Sequence, residues 1–123
     1  MKRVVLVGFG DIAQTSHLPA VVKQKHWELV SVVEIDSVRA QKANALARVP
    51  VFSTLEEAMQ TNPTAAIICT PPHVTPAMVI QALKLELHVL VEKPIAVTRD
   101  AALEISTAAR SSKKFVQIGR AHV

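Results

Sequence analysis

The sequence predicts an α/β domain built on a doubly wound parallel sheet, and three observations predict it. Short apolar runs alternate with helix-forming stretches from end to end. Each run is apolar throughout rather than alternating with polar residues, the pattern of a strand buried on both faces. Glycine-, proline- and acid-containing motifs sit at the carboxyl ends of these runs, where this architecture places its ligands.

Val4-Val5-Leu6-Val7 is a β-branched run stopped by Gly8 and reads as the first strand. A helix is expected over 12–24, with Asp11 as its N-cap and Pro19 kinking or splitting it. Residues 29–33 form the second strand, ending at Glu34. The stretch 37–48 is rich in Ala, Gln, Lys and Leu, all good helix formers, and Asp36 is placed to cap it. Val51-Phe52 is a short third strand. Thr54 caps a helix over 55–60, with Glu57 three residues on as the capping-box partner. Asn62-Pro63 is a turn before a strand over 65–69. A helix over 76–86, a strand over 88–91, a helix from Thr98 to about Ser112 and a last strand over 115–118 complete the series. No repeat, linker or low-complexity segment interrupts it.

Composition narrows the function classes. A chain of 123 residues fits one compact domain. The net charge of +4 is spread over scattered Lys and Arg, with only Trp27 and three Phe as aromatic residues. There is no basic stripe and no stacking platform, so no nucleic-acid partner is expected. The lone Cys69 excludes an intrachain disulfide and a multi-cysteine metal site; at the end of an apolar run it reads as a buried structural thiol. His17, His26 and His88 read as packed or structural histidines, no metal-ligand spacing appears, and no metal is expected. No apolar stretch approaches a membrane span, so no membrane contact and a cytoplasmic location are expected.

Gly8-Phe9-Gly10-Asp11-Ile12-Ala13 has the form G-x-G-x-x-A. Alone this is a weak signal, but here it follows a strand and opens a helix. Gly8 permits the tight turn, Gly10 lets a pyrophosphate approach the backbone, and Ala13 lets the helix pack closely on the sheet. Exposed N–H groups and the helix dipole attract the anion. An ordinary glycine turn is the plain alternative. Asp11 carries its charge close to the phosphates, and its side chain is expected to turn back onto helix N–H groups. Glu34 lies 24 positions beyond Gly10 and suits a ribose diol, favouring NAD over NADP; its plain alternative is a solvated loop carboxylate. Ser37 and Arg39 offer a place for a phosphate, so NADP stays possible. Gly8, Phe9, Gly10, Asp11 and Ile12 on the turn, with Glu34 and Ile35 beyond the second strand, are the candidate cofactor contacts.

Cys69-Thr70-Pro71-Pro72-His73 and His88-Val89-Leu90-Val91-Glu92-Lys93-Pro94-Ile95-Ala96 follow the next two strands. Together with the glycine turn and Val32-Val33-Glu34-Ile35-Asp36, they resemble the glucose–fructose oxidoreductase/inositol dehydrogenase (Gfo/Idh/MocA) family over nearly the whole chain. The resemblance implies a Rossmann domain binding NAD(P) in an oxidoreductase. Thr70, Pro71, Pro72 and His73 would then line the cofactor's path. Glu92 and Lys93 would lie near the nicotinamide, with Lys93 as the catalytic group at the substrate oxygen that gains or loses a proton. A lysine in a partly dry cleft is suited to that transfer; the plain alternative is a surface Glu92–Lys93 ion pair of little energetic value. Members of the family often carry His two positions beyond the Pro-Pro-His element, where this chain has Thr75.

The family's remaining catalytic groups belong to a following substrate domain, which is expected to be missing from this chain. The domain is expected to span 1–117, with 118–123 a non-native tail. Ile118-Gly119-Arg120-Ala121-His122-Val123 is the translation of ATC GGA AGA GCA CAC GTC, a string found in a widely used sequencing adapter. In a full-length protein the expected partners are a sugar or polyol substrate, with assembly into a homo-oligomer. Two other functions compete with hydride transfer to a sugar, cyclitol or related secondary alcohol. One is a freestanding dinucleotide-binding module or redox sensor; the other is an S-adenosylmethionine-dependent methyltransferase, in which Glu92-Lys93-Pro94 has no obvious role.

Overall fold

The structure, a computed structural model, describes residues 2–92, 98–114 and 116–119. Its strands are β1 (Lys2–Val7), β2 (Trp27–Val33), β3 (Val51–Phe52), β4 (Ala65–Ile68), β5 (His88–Glu92) and β6 (Val116–Gly119). The α-helices between them are α1 (Leu18–Lys23), α2 (Ser37–Ala47), α3 (Leu55–Ala58), α4 (Thr75–Lys84) and α5 (Arg99–Ser112). The six strands run parallel in the order β3-β2-β1-β4-β5-β6. From β1 the chain moves outward through β2 to β3, then returns to the other side of β1 for β4. This reversal opens a crevice beyond the carboxyl ends of β1 and β4, the place where open α/β sheets bind ligands.

Alternate residues of the strands face opposite layers. Val5, Val7, Ala66, Ile68, Val89 and Val91 pack with Leu55, Val79, Leu83 and Ile105 of α3, α4 and α5. Val4, Leu6, Val32 and Ile67 pack on the other face with Ala13, Leu18, Val21 and Ala43. Each fully buried aliphatic side chain contributes about 1.5–3 kcal/mol. The β1–β2 register slips between Val4 and Val5, which leaves Val30 as an extra residue and puts Ser31 opposite Val5. Ser31 is buried, and its hydroxyl is paired with that of Thr61 at 3.0 Å.

The helix starts follow from local chemistry. Asp36 accepts the Arg39 amide at 2.9 Å and caps α2. Thr54 and Glu57 form a reciprocal capping box at α3, which passes into a 3₁₀ turn, Met59–Thr61. Thr98 accepts the Ala101 amide at 3.0 Å and caps α5. Arg48, Asn62 and Lys113 end helical segments in the left-handed conformation without glycine, and the Arg48 and Asn62 amides donate to Asn44 O and Met59 O.

The first helix differs from expectation. Helical backbone begins at Asp11, widens into a π turn at Ala13–His17, and only then becomes α1. The Leu18 amide donates to Ala13 O, five residues back. Pro19 has no amide to donate, and its ring cannot accommodate the carbonyl four residues before it. The wider turn just upstream accommodates both, so Pro19 sits in the first turn of α1 rather than kinking a longer helix. Asp11 lies inside the first helical turn and not at the cap, and among the described residues its side chain makes no hydrogen bond back to the helix. Its charge still meets the positive end of the helix dipole.

Candidate functional site

A cleft of about 680 Å³ opens at the β1–β4 crevice. It is lined by Gly8, Phe9, Gly10, Asp11 and Ile12 from the glycine turn, Glu34 and Ile35 beyond β2, and Thr70, Pro71 and His73 beyond β4. The structure thus brings ten of the sequence-derived candidates to one place. Pro72 is exposed and does not line the cleft. Glu92 ends β5, its side chain lies outside the described atoms, and Lys93 lies outside the described residues altogether.

The two glycines of the turn have different causes. Gly8 has φ +89°, and a Cβ there would lie 2.9 Å from Cys69 O and 3.0 Å from the Cys69 carbonyl carbon. Fold geometry alone therefore requires glycine at position 8. Gly10 has nothing within 4 Å of the place a Cβ would occupy. No protein group needs that space, which opens on the cleft beside the helix start. A dinucleotide fits the residues present: the Gly8 and Phe9 amides are taken up by Val33 O and Glu34 Oε1, which leaves the helix N-terminus from Gly10 onward and a surface at Gly10 without a side chain.

Glu34 is neither a solvated loop carboxylate nor an empty ribose acceptor. It is buried, with 8% exposure. Its Oε1 accepts the Phe9 amide at 2.7 Å, and its Oε2 accepts the Asp36 amide at 2.9 Å. Arg39 lies over the same carboxylate, with Nε 3.3 Å from Oε1. Burial pushes the Glu34 carboxyl up, but the amides of Asp36 and Phe9 and the Arg39 guanidinium outweigh it and hold the pKa below the ordinary glutamate value. Next to it Ile35 is 83% exposed, an apolar side chain held out at the cleft rim.

Cys69 is half-buried at the cleft wall rather than buried. β4 ends at Ile68, and the chain turns away into Thr70 and Pro71, so nothing above the sheet edge covers it completely. His17 is half-buried in the π turn. Sequence reasoning missed the wall made by Ser53, Thr54, Leu55 and Glu56, between β3 and α3. Only the capping box marked that segment, and a capping box says nothing of a ligand. Arg39, considered only for a phosphate, also serves as the partner of Glu34.

Residues 2–120 match the family model described as an oxidoreductase family with an NAD-binding Rossmann fold. The chain belongs to the Gfo/Idh/MocA oxidoreductase family. It is 40% identical over 94 residues to galactose 1-dehydrogenase of Pseudomonas fluorescens, covering 75% of this chain and 29% of that protein. Among solved structures it resembles the WlbA dehydrogenase of Chromobacterium violaceum in complex with NADH and UDP-GlcNAcA. The TM-score is 0.90 and the identity 29%, over 96% of this chain and 34% of that one. The myo-inositol 2-dehydrogenase of Lactobacillus plantarum shares the fold, with a TM-score of 0.86 at 24% identity over 96% of this chain and 36% of that one. The chain therefore spans about a third of the length of these relatives. Gfo/Idh/MocA proteins are oxidoreductases, and this chain is their NAD-binding α/β unit. Among the described residues no helix is long and apolar enough to cross a membrane, and no three metal-ligating side chains come together.

Proposed function

We propose that the cleft binds NAD(H), with the pyrophosphate at the Gly8–Ile12 turn, the adenosine end at Glu34 and Ile35, and the nicotinamide end towards Thr70. The observation that carries this reading is the open space at Gly10, which the fold leaves clear and has no use for. The bound cofactor supplies hydride acceptance or donation. The chain's own residues bind and orient it: the helix start from Gly10 onward holds the anion, and Ile35 gives an apolar surface to the base. Glu34 keeps the turn in shape and offers its remaining acceptor capacity to a ribose. Arg39 brings a positive charge to the same corner, so NADP is the second cofactor this geometry favours.

In the reading extended to the whole protein, the substrate is a sugar, cyclitol or related secondary alcohol, as the names of the relatives support. Lys93, directly beyond β5, then acts on the proton of the reacting oxygen, and Glu92 keeps it company at the nicotinamide end. Titration of the 123-residue chain with NADH, followed by fluorescence, tests the binding part. Saturable binding that Gly10→Val abolishes is expected. Binding that survives Gly10→Val removes the pyrophosphate from the turn.

A further inference from the structure

Thr75 is 1% exposed and is the first residue of α4. Its hydroxyl lies 3.0 Å from Thr70 O, 3.0 Å from Pro71 O and 2.7 Å from the Thr70 hydroxyl. A hydroxyl has one proton, so only one of these oxygens receives it. Pro71 O already accepts the Val74 amide at 2.9 Å and the Thr75 amide at 3.1 Å, which uses both of its lone pairs. Thr70 O is a carbonyl and can only accept. Among the described residues no other donor reaches Thr70 O, whereas the Thr70 hydroxyl has a proton of its own, so the arrangement that satisfies every one of these oxygens sends the Thr75 proton to Thr70 O. The 2.7 Å contact between the two hydroxyls must then carry the Thr70 proton, donated to Thr75 Oγ1.

We infer that Thr75 is a positioning residue that fixes the Thr70 hydroxyl as a pure hydrogen-bond acceptor towards the cleft, so that the site selects a ligand hydroxyl at its nicotinamide end. Thr70 lines the cleft and is half-buried there, on the β4 side of Gly8. With its proton committed to Thr75, only lone pairs remain for a ligand. A sugar hydroxyl, such as that of the second ribose of a dinucleotide, supplies the matching donor, whereas a carbonyl or phosphate oxygen does not. The inference rests on the dinucleotide reading of the cleft and adds a polarity to one of its walls.

The test compares two probes, NADH and ADP, on the full 123-residue chain. ADP carries the adenosine and pyrophosphate but lacks the second ribose. Thr75→Val is expected to weaken NADH by about 3- to 10-fold, the worth of one neutral hydrogen bond, and to leave ADP unchanged. Thr75→Ser restores the hydroxyl and is expected to restore NADH affinity. Thr70→Val is expected to show the same selective loss, with no further loss in the double variant. It also keeps the test open if Thr75→Val does not fold. Equal losses of NADH and ADP would make Thr75 merely structural and overturn the inference, as would unchanged NADH affinity in the folded variants. A wild-type chain that binds neither probe overturns the dinucleotide reading itself, and this inference with it. A chain that binds ADP normally but shows no Thr70 or Thr75 effect on NADH overturns only the inference.

Discussion

The backbone amide of Phe9 donates to Glu34 Oε1 at 2.7 Å, joining positions 25 apart in sequence. The glycine turn and the end of β2 are thus held together through one buried carboxylate, which also ties down the Asp36 amide. In the proposed reading an acid at this place has two uses: its charge would face a ribose, and its oxygens, bound to the Phe9 and Asp36 amides, set the shape of the glycine turn. Removing it should therefore do more than alter cofactor preference. Glu34→Ala is expected to shift preference towards NADP and to weaken both cofactors, because the Phe9 amide loses its partner. Dissociation constants for NADH and NADPH check this, and a pure change of preference with undiminished total affinity would reduce Glu34 to a charge filter.

Acid should reveal the same group. The folded-state pKa of Glu34 is lowered, so the native state gains from its ionisation. That contribution is fully present above the unfolded glutamate value of about 4.3 and is lost as pH falls through the lower folded value. Urea midpoints measured downward from about pH 5 should fall with pH in the wild type, with a smaller slope in Glu34→Gln. Parallel curves for the two proteins would contradict this.

The two glycines should separate stability from binding. Gly8→Ala forces a side chain into a left-handed backbone and against Cys69 O, at a cost of about 1–3 kcal/mol. At Gly10 a Cβ meets no protein atom within 4 Å, and Gly10→Val is expected to stay within about 0.5 kcal/mol of wild type while NADH binding disappears. Chemical unfolding beside NADH titration reads both effects. A strongly destabilised Gly10→Val would mean that the fold uses that space after all.

Arg39 is expected to discriminate between the cofactors. Its guanidinium is half-exposed and rests on Glu34, within reach of the same corner of the cleft. Arg39→Ala is expected to weaken NADPH by about 10-fold, the worth of a charge-assisted hydrogen bond, and to leave NADH unchanged or tighter. Equal losses for both cofactors would assign Arg39 to holding Glu34 in place.

Lys93→Met tests the proposed chemistry in a chain with measurable turnover. Loss of proton-transfer assistance should lower the rate by about 10²–10⁴-fold with little change in NAD affinity. If Lys93 is only a surface partner of Glu92, stability should change by about 0–1 kcal/mol and the rate should stay. Rate and NAD dissociation constant, measured together, distinguish these from a cofactor-positioning role.

What could be read from sequence was local. Thr54 with Glu57, Asp36 before α2 and Thr98 before α5 announce helix starts because capping involves residues three apart. The strands were legible because burial on both faces leaves their central residues apolar, with Ser31 of β2 the buried exception. The π turn was not, since Pro19 announces a disturbance but not where the backbone absorbs it. The contact of Phe9 with Glu34 was also hidden, because it exists only after β1 and β2 pair. The two threonines beyond β4 show the same limit: sequence places Thr75 near Thr70, but only geometry shows where each proton goes.

β1 lies at the centre of the sheet, between β2 and β4, although it is the first strand in the chain. Val4 pairs with Leu29 on one side and with Ala65 on the other, 61 positions away. During synthesis from the N-terminus, β1 can gain its first neighbour early, but its other edge stays open until β4 has been made. For that interval an apolar strand presents unpaired amides and carbonyls, a template for pairing with another chain. Closing so long a loop before any contact rewards it also makes parallel sheets slow to form. Refolding yield should therefore fall as protein concentration rises, and a nascent chain halted before β4 should be the species most prone to aggregate.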